Sequence, residues 1–236
     1  MNPKNNKIAI IGMGYVGLPL AVALAKKNHV VGFDINKIRV NNLKRGIDQT
    51  KEILKNEIIN SKKLRFSDKI SDLSKCETYI ITVPTPVDKN NKPNLKPLLN
   101  ATKTISKVLS KNNLVIYEST VFPGATEELC GPILEKNSGF KINKNLYLGY
   151  SPERINPGDK NRKLTDIVKI VSGSNKKAQA RVSKLYSSII KAGVYKTDSI
   201  KTAEAAKVIE NTQRDLNIAL INELSIIFKK LKLDTE

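Results

Sequence analysis

Residues 7–34, KIAIIGMGYVGLPLAVALAKKNHVVGFD, constrain this chain more than any other stretch. An apolar run over residues 8–11 breaks at Gly12. An apolar segment follows over residues 18–25, and a second short apolar run ends on the acidic Asp34. That order predicts strand, tight turn, helix and strand. Gly12, Gly14 and Gly17 stand in G-x-G-x-x-G spacing, and each has a physical task. One makes the turn, one lets backbone approach a pyrophosphate, and one packs the helix against the strand. Free N–H groups and the dipole at the helix N-terminus favour a phosphate there. Asp34 lies roughly 20 residues beyond the loop, where a carboxylate accepts both ribose hydroxyls and repels a 2′-phosphate. The whole context predicts a dinucleotide site that prefers NAD to NADP. A glycine turn in some other α/β domain would leave Asp34 unexplained.

Further along, helices are predicted over residues 36–43, 51–63, 98–109, 126–136 and 176–190. Strands are predicted over 64–67, 78–83, 114–117, 146–150, 167–171 and 194–197. Strands alternating with helices imply an α/β fold with a mostly parallel, doubly wound sheet. Ligands of such sheets bind beyond the carboxyl ends of the strands. The motifs PTP (Pro84, Thr85, Pro86), ESTVFPG (residues 118–124) and SPERINPG (residues 151–158) all follow strands. They should converge on the mouth where the glycine loop holds its nucleotide. From about Thr202 the character changes: residues 203–233 contain neither Gly nor Pro and suit one long helix.

Composition narrows the partners. Lys and Arg number 41 against 22 Asp and Glu, a net charge of +19, which formally invites nucleic acid or a membrane surface. The lysines are scattered in pairs, such as Lys26-Lys27 and Lys62-Lys63, and no basic stripe is interleaved with aromatic residues. Neither nucleic acid nor membrane is expected as a main partner. No apolar segment approaches the ~20 residues a membrane helix needs. The two cysteines, Cys76 and Cys130, lack metal-ligand spacing. No metal is expected, and a reduced cytoplasmic setting is the simplest expectation.

The motifs together resemble those of the UDP-glucose/GDP-mannose dehydrogenase family, NAD-dependent four-electron oxidoreductases acting at C6 of nucleotide sugars. The matching segments are GMGYVGLPLA, FDIN with Arg39, VPTPVD, ESTVFPG, YSPERINPGD and AAKVIENTQRDLNIALINE. They span the chain in the family's order. The segment SPERINPGDKNRKLTDIVKIVSGS is most similar to the branch that oxidises UDP-N-acetylhexosamines to uronic acids for surface and capsular polysaccharides. A UDP-glucose or UDP-N-acetylmannosamine dehydrogenase is the alternative within the family.

The resemblance implies two successive oxidations, alcohol to aldehyde and aldehyde to carboxylate, the second through a cysteine-bound thiohemiacetal and thioester. It implies that Thr120 holds a catalytic water and that Glu153 is a general acid/base. It also implies that Lys207 and Asn211, four residues apart on one helix face, stabilise an oxyanion. Cofactor contacts are implied for Gly12, Gly14, Tyr15, Val16, Gly17, Asp34, Arg39, Thr85, Pro86 and Thr120, and substrate contacts for Glu153, Arg154, Lys207 and Asn211. From the residues alone, Lys207 and Asn211 read equally well as solvated helix positions. Glu153 reads as a turn cap, and Thr120 as an ordinary β-branched residue leaving a strand.

The family's nucleophilic cysteine and UDP-binding domain lie downstream of the motifs present here. Cys130 sits among apolar neighbours, neither cysteine has a histidine nearby in sequence, and the single histidine, His29, precedes the second strand and is read as structural. The organisation expected is a Rossmann-like domain over residues 1–200 and the start of a central dimerisation helix over 201–236. The chain is then an N-terminal piece without turnover of its own. The full-length protein is expected to pair as a homodimer through this last helix, and the piece alone to associate or to be partly disordered beyond about Leu216. A catalytically inactive NAD-binding or interaction module is the reading from another class.

Overall fold

The computed structural model describes residues 7–154 and 164–234. The chain runs through β1 (Lys7–Ile11), α1 (Gly17–Ala25), β2 (His29–Phe33), α2 (Lys37–Lys44), α3 (Lys55–Asn60), β3 (Leu64–Ser67) and β4 (Thr78–Ile81). It continues through α4 (Lys96–Ser106), β5 (Asn113–Tyr117), α5 (Gly131–Ser138), β6 (Leu146–Tyr150) and β7 (Lys169–Gly173). The last elements are α6 (Lys176–Ser187), β8 (Val194–Lys196) and α7 (Ile200–Lys230). The strands form one sheet in the order β3-β2-β1-β4-β5-β6-β7-β8.

Both faces of this sheet are covered, which is why β4, β5 and β6 are buried along their whole length and read as continuous apolar runs. Alternate side chains feed two cores. Ile8, Ile10, Ile80, Leu114 and Ile116 pack under α1 and α6. Ala9, Ile11, Ile81, Val115 and Leu148 pack under α4, α5 and the first turn of α7. The topology places the carboxyl ends of β1, β2, β4 and β5 along one edge, with the order reversing between β1 and β4. That reversal opens the crevice in which such sheets bind ligands.

Four details depart from the sequence expectation. Helix α3 is confined to Lys55–Asn60, because the Asp48 carboxylate captures the N–H groups of Thr50, Glu52 and Ile53 and holds that segment in a turn. The helix expected over 126–136 is a π-helical turn, Ala125–Cys130, followed by α5. Pro132 lacks an N–H and crowds the carbonyl four residues back, and the wider turn absorbs both. Strand β7 pairs with β6 antiparallel through Gly149–Gly173 and Tyr150–Ser172. A parallel return needs a helical crossover, whereas the described part of this connection holds only a short 3₁₀ turn, Leu164–Asp166. Finally, α7 stays helical past Leu216 to Lys230, 31 residues in all, or about 46 Å. Among the described residues, no helix is long and apolar enough to cross a membrane.

Candidate functional site

The glycine loop divides its work as the spacing predicts. Gly12 has φ +98°, and a Cβ there would lie 3.1 Å from the Thr82 carbonyl oxygen. A Cβ on Gly17 would overlap the Gly12 carbonyl oxygen and crowd Thr82 Oγ1 at 2.5 Å. A Cβ on Gly14 would meet nothing within 4 Å, so the missing side chain there leaves room for a ligand. Val16 precedes α1 without any side-chain cap; the Gly14 carbonyl takes the Leu18 N–H and Pro19 has none, so it is the Gly17 N–H that the helix start leaves for an anion.

Gly12, Gly14 and Val16 wall a cleft of about 820 Å³ with Tyr15, Asp34, Thr85, Pro86, Thr120 and Glu153. The Asp34 carboxylate closes the end of β2. Its Oδ2 accepts the Met13 N–H at 2.8 Å and its Oδ1 the Asn36 N–H at 2.9 Å. A carboxylate has about four acceptor sites, so lone pairs remain for a diol. Thr85 Oγ1 is buried in this wall without a hydrogen-bond partner among the described residues. The room at Gly14, the uncapped helix, the acid and the unspent hydroxyl fit a dinucleotide.

Two of the expected cofactor residues stand elsewhere. Gly17 lies behind the loop as a packing residue. Arg39 is buried beneath it, with Nε donating to the Met13 carbonyl at 2.8 Å and Nη2 paired with Asp48 at 2.7 Å. It does not line the cleft, because Asp48 and Met13 draw it under the loop. Its Nη1 has no partner among the described residues.

The chemical end of the cleft brings three strand-end loops together. Thr120 is exposed on the wall, and Glu153 is 7% exposed on the same wall. Lys207 enters from α7, 8% exposed and 3.8 Å from Glu210 Oε2. Burial pushes the Lys207 ammonium below its ordinary value, while the charges of Glu153 and Glu210 pull it back up. Glu153 also acts on Tyr15, whose hydroxyl burial already raises. Asn211 follows Lys207 by one turn, half-buried. Arg154 binds Glu210 at 3.2 Å and keeps a buried Nε without a partner among the described residues. Lys207, Asn211 and Arg154 thus flank the cleft without lining it. Residues 155–159 of the SPERINPGD motif lie outside the described residues.

The reading by motif passed over four charged or polar groups. Glu118, buried at the cleft, pairs with the buried Lys169 at 2.7 Å and accepts a short hydrogen bond from Tyr186 Oη. The signal was a lone lysine inside the apolar run IVKIV. Glu204 on α7, fully buried, accepts the N–H groups of Gly124 at 2.6 Å and Thr126 at 2.9 Å. A glutamate in a charged helix carries no such signal. Neither cysteine reaches the cleft. Burial pushes the Cys76 thiol up to about 11 and raises Cys130 as well. Among the described residues, no cluster of His, Cys, Asp and Glu could hold a metal ion. His29 is exposed at the opposite end of β2, beside Lys62 and Arg65.

A doubly wound sheet with a glycine loop, an uncapped helix start and an acid at the end of the second strand defines a Rossmann-type dinucleotide-binding protein. The chain belongs to the UDP-glucose/GDP-mannose dehydrogenase family: residues 6–190 match its NAD binding domain and residues 201–236 its central domain. NAD is accordingly the cofactor of the cleft. The chain is similar to a UDP-N-acetyl-D-glucosamine 6-dehydrogenase of Pseudomonas aeruginosa, 56% identical over 233 residues, covering 99% of this chain and 55% of the relative. It is 54% identical over 231 residues to Protein CapL of Staphylococcus aureus, covering 98% and 54%. The solved structure of a UDP-D-ManNAc dehydrogenase from Pyrococcus horikoshii superposes with a TM-score of 0.89 at 35% identity, covering 95% and 54%. The chain spans about half the length of the curated relatives it matches.

Proposed function

We propose that this chain is the N-terminal half of an NAD-dependent UDP-N-acetylhexosamine 6-dehydrogenase that supplies uronic acids for surface polysaccharides. The observation that carries the reading is the buried Glu153, on one cleft wall with Thr120 and within electrostatic reach of Lys207. The 56% identity to a UDP-N-acetyl-D-glucosamine 6-dehydrogenase supports the sugar class. Residues 1–200 form the NAD-binding unit, and 201–236 begin a central helical domain.

Bound NAD supplies the hydride acceptor. Gly14 and the α1 N-terminus receive its phosphates, and Asp34 a ribose diol. At the sugar, Thr120 Oγ1 holds a water, and the Glu153 carboxyl takes and returns a proton. Lys207 Nζ and the Asn211 amide donate to the oxygen on which negative charge develops. Lys207 stabilises the oxyanion in its ammonium form, which the charges of Glu153 and Glu210 favour against burial. Arg154 approaches the anionic part of the UDP-sugar. The apolar side of α7, exposed at Leu216, Leu220 and Ile221, pairs two copies as a homodimer. The setting is cytoplasmic.

The test is NADH formation with UDP-N-acetylglucosamine, UDP-N-acetylgalactosamine and UDP-glucose. It is run on this chain and on the chain joined after Glu236 to the C-terminal half of the Pseudomonas aeruginosa relative. Turnover only by the joined protein, fastest with an N-acetylated sugar and abolished by Glu153→Gln, is the expected result. Turnover by the 236 residues alone, or none by the joined protein while NAD still binds, contradicts it.

A further inference from the structure

Lysine is a costly residue to bury, yet Lys169 lies inside β7 with only 2% exposure. Its ammonium donates to Glu118 Oε2 at 2.7 Å and to the Pro152 carbonyl at 3.2 Å, and it stands 5.4 Å from the centre of the Tyr186 ring. Tyr186 Oη holds the other oxygen of Glu118. Glu118 precedes Thr120 by two residues, and Pro152 directly precedes Glu153. One ammonium therefore ties the loop after β5 to the loop after β6. A buried ion pair adds little stability over well-packed apolar side chains, so stability alone does not account for a lysine here. Its reach to two loops does.

Resting on the function proposed above, the geometry points to Lys169 as a positioning residue that fixes the Glu153 loop against the Thr120 loop, with Glu118 and Tyr186 as its anchor. The proton acceptor and the water-holding hydroxyl then keep their spacing whether or not substrate is present. Tyr150 Oη, donating to the Ser119 carbonyl at 3.3 Å, adds a neutral link that Lys169 stiffens.

Lys169→Met alone strands Glu118 as a buried unpaired charge and threatens the fold. The informative variant is Lys169→Met/Glu118→Gln, which removes both charges and cannot reach the Pro152 carbonyl. In this chain, the amides of Ser151, Glu153 and Arg154 in the double variant should exchange hydrogen at least about ten-fold faster. Amides of β1 and the affinity for NAD should stay unchanged, and the melting temperature should stay near that of the parent. In the joined protein kcat should fall on the order of 100-fold with KM for NAD unchanged, as expected for misplaced reacting groups. Parental exchange at those three amides, or a kcat restored in the double variant, overturns the proposal, because charge balance was then its only role. If the joined parent turns over no UDP-sugar, the proposed function fails, and the exchange rates still decide the brace.

Discussion

Single atoms decide much of this molecule. A Cβ on Gly17 overlaps a backbone oxygen that cannot move, so Gly17→Ala should cost about 1–3 kcal/mol, as overpacked sites do, and lower the melting temperature. Gly14→Ala meets nothing and should leave the melting temperature unchanged while weakening NAD about ten-fold or more in a binding titration. Asp48 offers a test in pH. Burial would raise its carboxyl, but hydrogen bonds from Thr50, Arg39 and Ile53 outweigh it and hold it below the ordinary value. A carboxyl lowered by folding stabilises above its unfolded value of about 3.9 and loses that contribution as pH falls through the folded one. Asp48→Asn should therefore cost about 2 kcal/mol at pH 7 and progressively less in denaturant melts as pH falls below about 3.9. Gly12, Gly14, Gly17 and Asp34 were legible because their geometry is local to one β-α-β unit. Lys169 and Glu118, 51 positions apart, were not, because only the fold makes them neighbours.

Among elements, α7 is the most consequential. Its periodicity announced a helix, but nothing in it announced the Glu204 latch that fastens its first turn to the loop after β5. Without Glu204 the buried N–H groups of Gly124 and Thr126 lose their acceptors, a penalty of about 1–3 kcal/mol for each group. Glu204→Ala should accordingly lower the melting temperature by several degrees and speed proteolysis within α7. Glu204→Gln, which keeps one acceptor, should do so less. The sheet's parallel part was readable from apolar runs separated by helices. The antiparallel β7, the shortened α3 and the π-helical turn were not. The shortened α3 and the π-helical turn each follow from a local event, the Asp48 turn or Pro132, that overrides periodicity, and β7 from a pairing that no apolar run encodes.

At the scale of the whole molecule, one end of the sheet gathers the glycine loop, Asp34, Thr120 and Glu153 into a single cleft. The far half of α7 exposes Leu216 and Leu220 on one helix face. If that face pairs two copies, the chain should sediment as a dimer, and Leu216→Glu/Leu220→Glu should sediment as a monomer with unchanged helicity. The cleft itself is tested most directly by calorimetric titration of the 236-residue chain with NAD and with NADP. Saturable binding of one NAD per chain, at least about ten-fold tighter than NADP, with the gap narrowed by Asp34→Ala, is the predicted result. Failure to bind NAD, or equal affinity for the two cofactors, would contradict the account.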